Sequence, residues 1–408
     1  MQTQLADWIR DTPEGKEADA ILRKCVHCGF CTATCPTYQL LGDELDGPRG
    51  RIYLMKQMLE GGEVTAKTQL HLDRCLTCRS CETTCPSGVQ YGRLVDIGRK
   101  LVDDRVERPL AQRFMRGALK TGLTSPFFAT AMKMGQLVRP LLPASLKAKV
   151  PVAQNAGAYP SGQHKRRMIL LEGCVQPAMA PNINTSTARV LDALGIEVVR
   201  PATAGCCGAI RYHLNDHDGG LDDARRNIDA WWPLIEGGAE AIVMNASGCG
   251  QQAKEYGHIL ARDPAYAAKA QRVSDLTKDV AEILPALSDE LKRKLGNGVA
   301  GKVVFHSPCT LQHGMKVKGA VEALLTSLGA TVPPVGESHF CCGSAGTYSV
   351  LQPELSIQLR DRRLGHLQAP QPDAILSANI GCITHLQSGT GTRVMHWIEW
   401  LDERLNPR

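Results

Sequence analysis

The 408-residue sequence lacks any long apolar segment. No uncharged stretch of 18 or more residues is predominantly apolar, and the longest uncharged run, residues 374–392, is rich in Ser, Asn, Gln, His and Gly. The first 20 residues are charged and amphipathic, without an apolar core or a small-residue cleavage site. We therefore expect a chain that does not span a membrane, is not secreted and works in a reducing cytoplasm.

Other absences exclude further classes of protein. Glycine has no three-residue period, the net charge is only +6 and 43% of residues are hydrophobic, which excludes collagen-like and disordered chains. Because the sequence has no GxGxxG fingerprint, Walker loop or catalytic triad, we assign it no nicotinamide or flavin site and no catalytic residue. The chain is too long to depend on disulfides, so its 16 cysteines are expected to be ligands.

The cysteines form two zones, and each zone is internally duplicated. The first zone contains the pattern C-x2-C-x2-C-x3-C-P twice, displaced by 50 residues, at Cys25, Cys28, Cys31, Cys35 and at Cys75, Cys78, Cys81, Cys85. The second contains C-x31-C-C-G twice, displaced by 135 residues, with one further cysteine each, at Cys174, Cys206, Cys207, Cys249 and at Cys309, Cys341, Cys342, Cys382. Fixed displacements of this kind indicate duplicated structural units.

The N-terminal pattern is typical of iron–sulfur clusters. A cubane cluster takes one thiolate per iron, and in two-cluster ferredoxins the fourth ligand of each motif comes from the other motif. We therefore assign one [4Fe–4S] cluster to Cys25, Cys28, Cys31 and Cys85, and a second to Cys75, Cys78, Cys81 and Cys35. Two structural zinc sites are the alternative, but a third cysteine at the same interval, present twice, favours clusters.

The pattern changes from short helices and loops to strand, turn and helix near residue 168. Apolar or β-branched runs predict strands at 168–171, 196–199, 241–244, 303–305 and 374–376, with helices at 188–194 and 321–328. The cysteines of the second zone follow these strands closely. The carboxyl ends of strands are where open α/β sheets bind ligands.

With these motifs the sequence resembles the glycolate oxidase iron–sulfur subunit family, in which a two-cluster ferredoxin module precedes two cysteine-rich CCG domains. The resemblance covers nearly the whole length and includes the turn at residues 46–51 and the segment 377–382. It implies a mixed α+β and α/β fold. The expected domains are a ferredoxin-type domain at 1–107, a basic helical connector at 108–167, and CCG domains at 168–296 and 297–408.

The CCG cysteines predict a further site. Adjacent cysteines strain a mutual disulfide, so each set suits a cluster or reactive thiols, with buried core cysteines as the alternative. Heterodisulfide reductases close related domains with C-x2-C, whereas here Gln252 and His385 occupy the last position. We expect an additional cluster or redox site at Cys309, Cys341, Cys342 and Cys382, with His385 either a ligand or a hydrogen-bonding residue. The first set, Cys174, Cys206, Cys207 and Cys249, is a weaker candidate for a cluster or redox site of the same kind.

The connector at 108–167 contains eleven Lys or Arg and no Asp or Glu, interleaved with Phe and Met. Such a segment suits an anionic lipid surface or an acidic partner, with a solvated helical linker as the alternative. Nucleic acid is not expected as a partner, because a pI of 8.5 is only mildly basic.

The family resemblance implies an electron-transfer subunit of a hetero-oligomeric oxidoreductase. Electrons would come from an FAD-bearing subunit that oxidises glycolate to glyoxylate and go to a quinone-type acceptor, with the chain peripheral on the cytoplasmic face of the inner membrane and inactive alone on the organic substrate. Iron–sulfur subunits of lactate or anaerobic glycerol-3-phosphate dehydrogenase are alternatives, because glycolate and lactate differ by one methyl group. Two others are a heterodisulfide-reductase-like thiol–disulfide oxidoreductase and a sensor or scaffold.

Overall fold

The computed structural model describes residues 1–143, 147, 150–296 and 299–406. The chain divides into two compact units. The first comprises Met1–Gly117 and His339–Arg363, and the second Ala118–Ser338 and Leu364–Arg408. The predicted mixture of a helical N-terminal part with parallel α/β sheets is confirmed.

The described helices up to the first sheet are mostly short. They are Asp7–Arg10, Pro13–Lys24, Phe30–Ala33, Pro36–Leu41, Glu44–Asp46 (3₁₀), Pro48–Leu59, Ala66–Asp73, Ser80–Thr83, Tyr91–Asp103, Leu110–Thr124, Phe128–Leu137 and Arg139–Leu141 (3₁₀). Several begin with proline, whose fixed φ suits the first helical position. Thr12 caps the helix Pro13–Lys24 by accepting the Gly15 N–H at 3.0 Å.

The later helices alternate with strands. They are Gln176–Met179, Pro181–Ala193, Ala209–His213, His217–Glu236, Ser247–Lys254, Tyr256–Ile259, Ala267–Leu276, Val280–Ile283, Leu284–Leu287 (3₁₀), Ser288–Leu295, Thr310–Gly314 (π), Ala320–Ser327, Tyr348–Leu351, Pro353–Gln368, Ile380–Gln387 and Trp397–Leu405.

The core of the N-terminal module lies between amphipathic helices. Pro48–Leu59 and Tyr91–Asp103 turn their apolar faces inward, toward Ile21 and Leu22 of Pro13–Lys24. Gly98 allows the close approach, because a Cβ there would lie only 2.8 Å from Met55 Cγ. The core side chains are Leu5, Ile9, Ile21, Leu22, Ile52, Met55, Met58, Leu59, Leu72, Val89, Tyr91, Leu94, Val95 and Val102.

The first sheet of the second unit has four parallel strands. These are β1 Arg166–Leu170, β2 Ile196–Val199, β3 Ile242–Met244 and β4 Thr277–Asp279, in the order β2-β1-β3-β4. The register pairs Met168 with Val198 and Ile169 with Ile242. Helices cover the sheet, as the apolar strands require.

The second sheet repeats this arrangement. Strands β5 Val303–His306, β6 Ala374–Ser377 and β7 Arg393–His396 pair in parallel in the order β5-β6-β7. A single parallel bridge, Lys302 with Thr331, lies where the first sheet has β2. The duplication expected from the cysteine spacing is therefore present in the strand order as well.

The cysteine-bearing edges of the two sheets meet inside the second unit. Ser247, at the start of the helix after β3, donates its backbone N–H to the Ala378 carbonyl at 3.1 Å. Its hydroxyl is 2.7 Å from the Thr310 hydroxyl, which follows Cys309 after β5. The ends of β3, β5 and β6 are thus joined by polar contacts next to three of the cysteines.

Candidate metal centres

The two N-terminal motifs fold into the same loop. His27 and Gly29 of the first motif have positive φ of 56° and 84°, and Thr77 and Arg79, displaced by 50 residues, have 52° and 59°. Positive φ strains a residue other than glycine, so this repeated geometry indicates a functional constraint. A one-turn helix follows in both copies, Phe30–Ala33 and Ser80–Thr83. The loops therefore present three cysteines each in matching positions.

A cavity lies between four thiols of the first cluster assignment. It is lined by Cys25, Cys28, Cys31 and Cys85 and closed by apolar side chains that include Ile52. Arg49 and Cys81, a cysteine of the second assignment, also line it. The Cys28 side chain is exposed, Cys31 and Cys85 are half-buried, and Cys25 is buried. The cavity, with cysteine on several sides, fits a bulky thiolate-bound group such as a [4Fe–4S] cluster.

The second assignment is more deeply buried. Burial raises the pKa of Cys81 well above its usual value, and the charges of Cys78, Cys75 and Cys35 raise it further. The structure thus places Cys35, from the first motif, near the cysteines of the second. In the first motif, burial and the charge of neighbouring cysteines raise the pKa of Cys31 to about 11. Iron binding at either place must therefore release thiol protons.

A charged network lies beside the second set. Asp46, completely buried, accepts hydrogen bonds from Arg51 at 3.3 Å and Arg74 at 2.8 Å, and lies 3.1 Å from His71 Nδ1. The Arg51 side chain is only 1% exposed, and an N–H group of each of its two terminal nitrogens donates a hydrogen bond to the Thr37 hydroxyl oxygen. The sequence marked residues 46–51 only as a turn, since arginine is rarely buried and gave no signal of this role.

Tyr348 is a second residue near the cysteines for which the sequence gave no signal. It belongs to the stretch His339–Arg363 of the first unit and donates its hydroxyl to the Arg74 carbonyl at 3.2 Å. The charges of both Cys75 and Cys341 raise its pKa, after burial. A residue of the second CCG motif therefore lies near the ferredoxin-type cysteines within one unit.

The four cysteines of the first CCG half lie together in the second unit. The four sulfur atoms are close enough to shift one another's pKa. Interaction with Cys174 and Cys207 lowers the pKa of Cys206, while the pKa values of Cys174 and Cys207 rise. A cysteine whose pKa is lowered by two neighbouring thiols is suited to redox chemistry.

The turn after each cysteine pair explains its glycine. Gly208 has a φ of 87° and donates its N–H to Cys206 Sγ at 3.4 Å. Gly343 has a φ of 88° and donates to Cys341 Sγ at the same distance. Both positions need the left-handed conformation that glycine adopts without strain.

The second CCG half is placed as follows. Cys309 follows β5, and Cys382 and His385 lie on the helix Ile380–Gln387 after β6, all in the second unit. The Asn379 amide donates to Cys382 Sγ at 3.7 Å. Cys341 and Cys342 are buried in the first unit. The predicted position of the cysteines after strands is thus confirmed for Cys309 and Cys382, as it is for Cys174 and Cys249 in the first half.

Comparison with known proteins identifies the two modules. The family described as "4Fe-4S dicluster domain" matches residues 21–89, and the family described as "Cysteine-rich domain" matches residues 168–254 and 303–387. The glycolate oxidase iron-sulfur subunit of Escherichia coli (strain K12) is 55% identical over 99% of both chains. The chain belongs to the glycolate oxidase iron–sulfur subunit family. The expected cofactors, two [4Fe–4S] clusters, agree with the matched dicluster domain of this family.

Other relatives lie in the same family or near it. The probable glycolate oxidase iron-sulfur subunit of Bacillus subtilis (strain 168) is 30% identical over 90% of this chain and 89% of that protein. Lactate utilization protein A of Bacillus cytotoxicus is 29% identical and covers 58% of this chain with 99% of its own length. The glycolate oxidase subunit family therefore matches over almost the whole length, and the lactate protein over part of it.

Proposed function

We propose that this chain is the electron-transfer subunit of a glycolate dehydrogenase. It receives electrons from an FAD-bearing partner that oxidises glycolate to glyoxylate and delivers them toward a quinone-type acceptor; alone it does not act on the organic substrate. The observation that carries the proposal is the packing of both cysteine motifs around one helical core, together with the similarity to a named glycolate oxidase subunit.

We propose crossed ligand sets for the clusters. Cys85 completes the first set and Cys35 the second, as the lining of the cavity and the charge of Cys35 on Cys81 support. When bound, such clusters accept one electron at a time, which suits the division of a two-electron flavin reaction. The protein orients the thiolates, excludes water from Cys35 and Cys81, and keeps Cys28 at the surface.

The experiment that tests the assignment adds substrates to the native complex. The chain is captured anaerobically with its partners, glycolate, lactate or glycerol 3-phosphate is added, and flavin bleaching and cluster reduction are followed by absorbance and EPR. We expect glycolate alone to reduce both centres rapidly. As a matched control, Cys25→Ser should retain flavin bleaching and lose one cluster signal. Reduction by lactate but not glycolate would contradict the substrate, and absence of a flavoprotein would contradict the partner.

A second function is favoured by the proximity of the sulfur atoms of Cys174, Cys206, Cys207 and Cys249. We propose a redox site there, in which two electrons from the clusters and two protons convert a disulfide to two thiols. The set Cys309, Cys341, Cys342, Cys382 with His385 stays a proposal for a further cluster or redox site. Turnover of a disulfide substrate by the chain, lost in Cys206→Ser and retained in the exposed control Glu403→Gln, would support the thiol–disulfide function; equal loss in both would contradict it.

The connector suits an anionic membrane surface on the cytoplasmic face. In the second unit Phe127, Met134, Leu137 and Leu141 are all exposed, close in sequence to Lys133 and Arg139. Apolar anchors with basic residues bind anionic lipid through both burial and charge. Among the residues that the structure describes, no helix is long and apolar enough to cross a bilayer.

Vesicle flotation tests this surface. We expect the chain to float with phosphatidylglycerol vesicles and to remain at the bottom with phosphatidylcholine. Leu137→Ser with Leu141→Ser should abolish flotation, whereas the control Ile357→Ser, another exposed apolar residue, should not. Equal flotation of all three proteins would contradict the assignment.

We also propose the domain limits 1–107, 108–167, 168–296 and 297–408.

A further inference from the structure

The two proposed ligand sets differ in the groups that surround their sulfur atoms. In the second set, Cys35 Sγ lies 3.4 Å from the Thr37 hydroxyl. Cys75 Sγ accepts the Thr77 N–H at 3.4 Å and the Tyr91 hydroxyl at 3.7 Å. In the first set three of the four cysteines are exposed or half-buried, so water reaches them.

Arg51 connects a buried positive charge to Cys35. Its two terminal nitrogens each donate to Thr37 Oγ1 at 3.1 Å, and its Nε donates to the His71 carbonyl at 2.7 Å. Because Arg51 fills the lone pairs of the Thr37 oxygen, the hydroxyl proton is left to be donated to Cys35 Sγ or to the Asp46 carbonyl. Arg51 therefore acts on the sulfur through space, and its hydrogen bonds leave the single Thr37 proton to Cys35 or to Asp46.

Burial determines how strongly the charge of Arg51 acts on the cluster. Reduction adds one negative charge to a cluster, so a fixed cation beside its thiolates favours the reduced form. Arg51 is 1% exposed, and water and salt screen its charge little. Asp46 carries the opposite charge 3.3 Å from Arg51 and partly cancels it.

Arg49 provides an internal comparison in the same turn. Its side chain is 38% exposed and forms a two-pronged ion pair with Glu44, at 2.6 and 3.1 Å. Solvent and Glu44 both weaken its field. Two arginines two residues apart are therefore expected to affect the clusters very differently.

We propose that Arg51 raises the reduction potential of the [4Fe–4S] cluster at Cys35, Cys75, Cys78 and Cys81, partly through Thr37, and that Asp46 lowers it. The pair sets how an electron is shared between the two clusters. This inference rests on the ligand sets proposed above. Arg51 is thus a positioning and tuning residue for electron transfer that touches no organic substrate.

Redox titrations followed by EPR on the anaerobic full-length chain test the proposal. In Arg51→Gln the ratio of reduced to oxidised second cluster at a fixed potential should fall at least tenfold, which is about 59 mV for one electron. Asp46→Asn should shift the same signal in the opposite direction. In the signal of the second cluster, Arg51→Lys, which retains the charge, and the control Arg49→Gln should stay within about threefold of the unaltered chain, because Arg49 lines the cavity of the first set. Shifts of the same sign in Arg51→Gln and Asp46→Asn, or an equal shift in Arg49→Gln, would overturn the proposal.

Two further variants separate the possible failures. Cys25→Ser and Cys35→Ser first assign the two EPR signals, and loss of the same signal in both would refute the ligand sets rather than the role of Arg51. Where Arg51→Gln fails to load iron, Thr37→Val replaces it, because valine removes only the hydroxyl. If the ratio of reduced to oxidised second cluster falls about threefold in Thr37→Val, the result supports the path through Thr37. An unchanged ratio refutes that path.

Discussion

The cysteines of the N-terminal module and those of the first CCG half differ in how their sulfur atoms interact. In the N-terminal module the thiols raise one another's pKa through charge, and a cavity lies among Cys25, Cys28, Cys31 and Cys85. In the first CCG half the neighbouring thiols Cys174 and Cys207 lower the pKa of Cys206. Both groups include buried thiols.

This difference teaches that cysteine content and burial alone do not define a metal site. Thiols that repel one another around a cavity are stabilised by a cation-rich group placed between them. Thiols that lower the pKa of one of their number already stabilise its thiolate form. We therefore expect the N-terminal cysteines to depend on iron and the first CCG cysteines to keep their arrangement without it.

The largest effect is expected from replacing proposed cluster ligands in the N-terminal module. Cys85→Ser and Cys35→Ser should each lose about four irons per chain, because each removes one thiolate from a four-thiolate cluster. The two variants should lose different EPR signals, the same ones lost in Cys25→Ser and Cys75→Ser respectively. Cys206→Ser is the matched control, with unchanged iron; loss of iron in this variant would mean that the first CCG half holds a cluster.

A change remote from every cysteine tests whether the second unit has a framework of its own. Asp402 accepts hydrogen bonds from Ser186 at 2.8 Å and from Arg189 Nε at 3.0 Å, which joins two helices. Asp402→Asn should lower the free energy of unfolding by about 3 kcal/mol, since Arg189 then lacks a buried counter-charge. Urea unfolding followed by tryptophan fluorescence measures it, because four of the five tryptophans lie in residues 231–400.

The neighbouring residue provides the control for that change. Glu403 pairs with Arg393 at 2.6 Å, but both side chains are largely exposed, so Glu403→Gln should cost less than about 1 kcal/mol. Both variants should retain all of their iron. Loss of iron in Asp402→Asn would show that the framework of the second unit and the N-terminal clusters are not separable.

A pH effect of moderate size is expected from His396. Burial lowers its pKa to about 3, and its Nδ1 accepts the Ile398 N–H at 3.1 Å. The unfolded chain binds this proton near pH 6.5 and the folded chain does not, so stability is lost as pH falls from 6.5 toward 3. Between pH 7 and 5.5 the chain should lose about 1 kcal/mol more than His396→Asn, whose side-chain oxygen can still cap the helix. Parallel urea curves of the two proteins at all pH values would contradict this.

The smallest effect concerns the reactivity of Cys206. Because Cys174 and Cys207 lower the pKa of Cys206, the rate of its labelling by methyl methanethiosulfonate should change less than about twofold between pH 5.5 and 7.5, whereas an ordinary thiol changes about tenfold per pH unit. Peptide mass spectrometry measures the rate. Cys174→Ala removes one of these thiols and should restore part of the pH dependence; a steep dependence already present in the unaltered chain would be incompatible with the thiolate.

The sequence predicted the cysteine-bearing framework well. The strand at 196–199 was placed at its observed limits, and those at 303–305 and 374–376 were each one residue short, because β-branched or apolar runs mark buried parallel strands. The helix predicted at 188–194 instead begins at Pro181. Its first turns contain Asn184, Thr185 and Ser186, which are buried and hydrogen-bonded, so hydrophobic periodicity does not reveal them.

The candidate site was predicted in its cysteines and not in their surroundings. The spacing of thiols is a local pattern, whereas the burial of Arg51 depends on Asp46, Arg74 and a carbonyl from another helix. Strand β4, Thr277–Asp279, was missed for a similar reason, since its short polar sequence is a strand only because β3 lies beside it. Tertiary partners decide both cases, and a single sequence does not display them.

The split composition of the first unit has a consequence for biosynthesis. His339–Arg363 belongs to the same unit as Met1–Gly117, and Tyr348 contacts the carbonyl just before Cys75. At roughly 5–20 residues per second, the ribosome needs on the order of 10–45 s after residue 117 before it reaches residue 339. During this interval the eight N-terminal thiols, already synthesised, lack the stretch that later packs beside them. We therefore expect the nascent chain to need an oxygen-free or chaperoned interval, and the module to mature only after residue 363 has emerged.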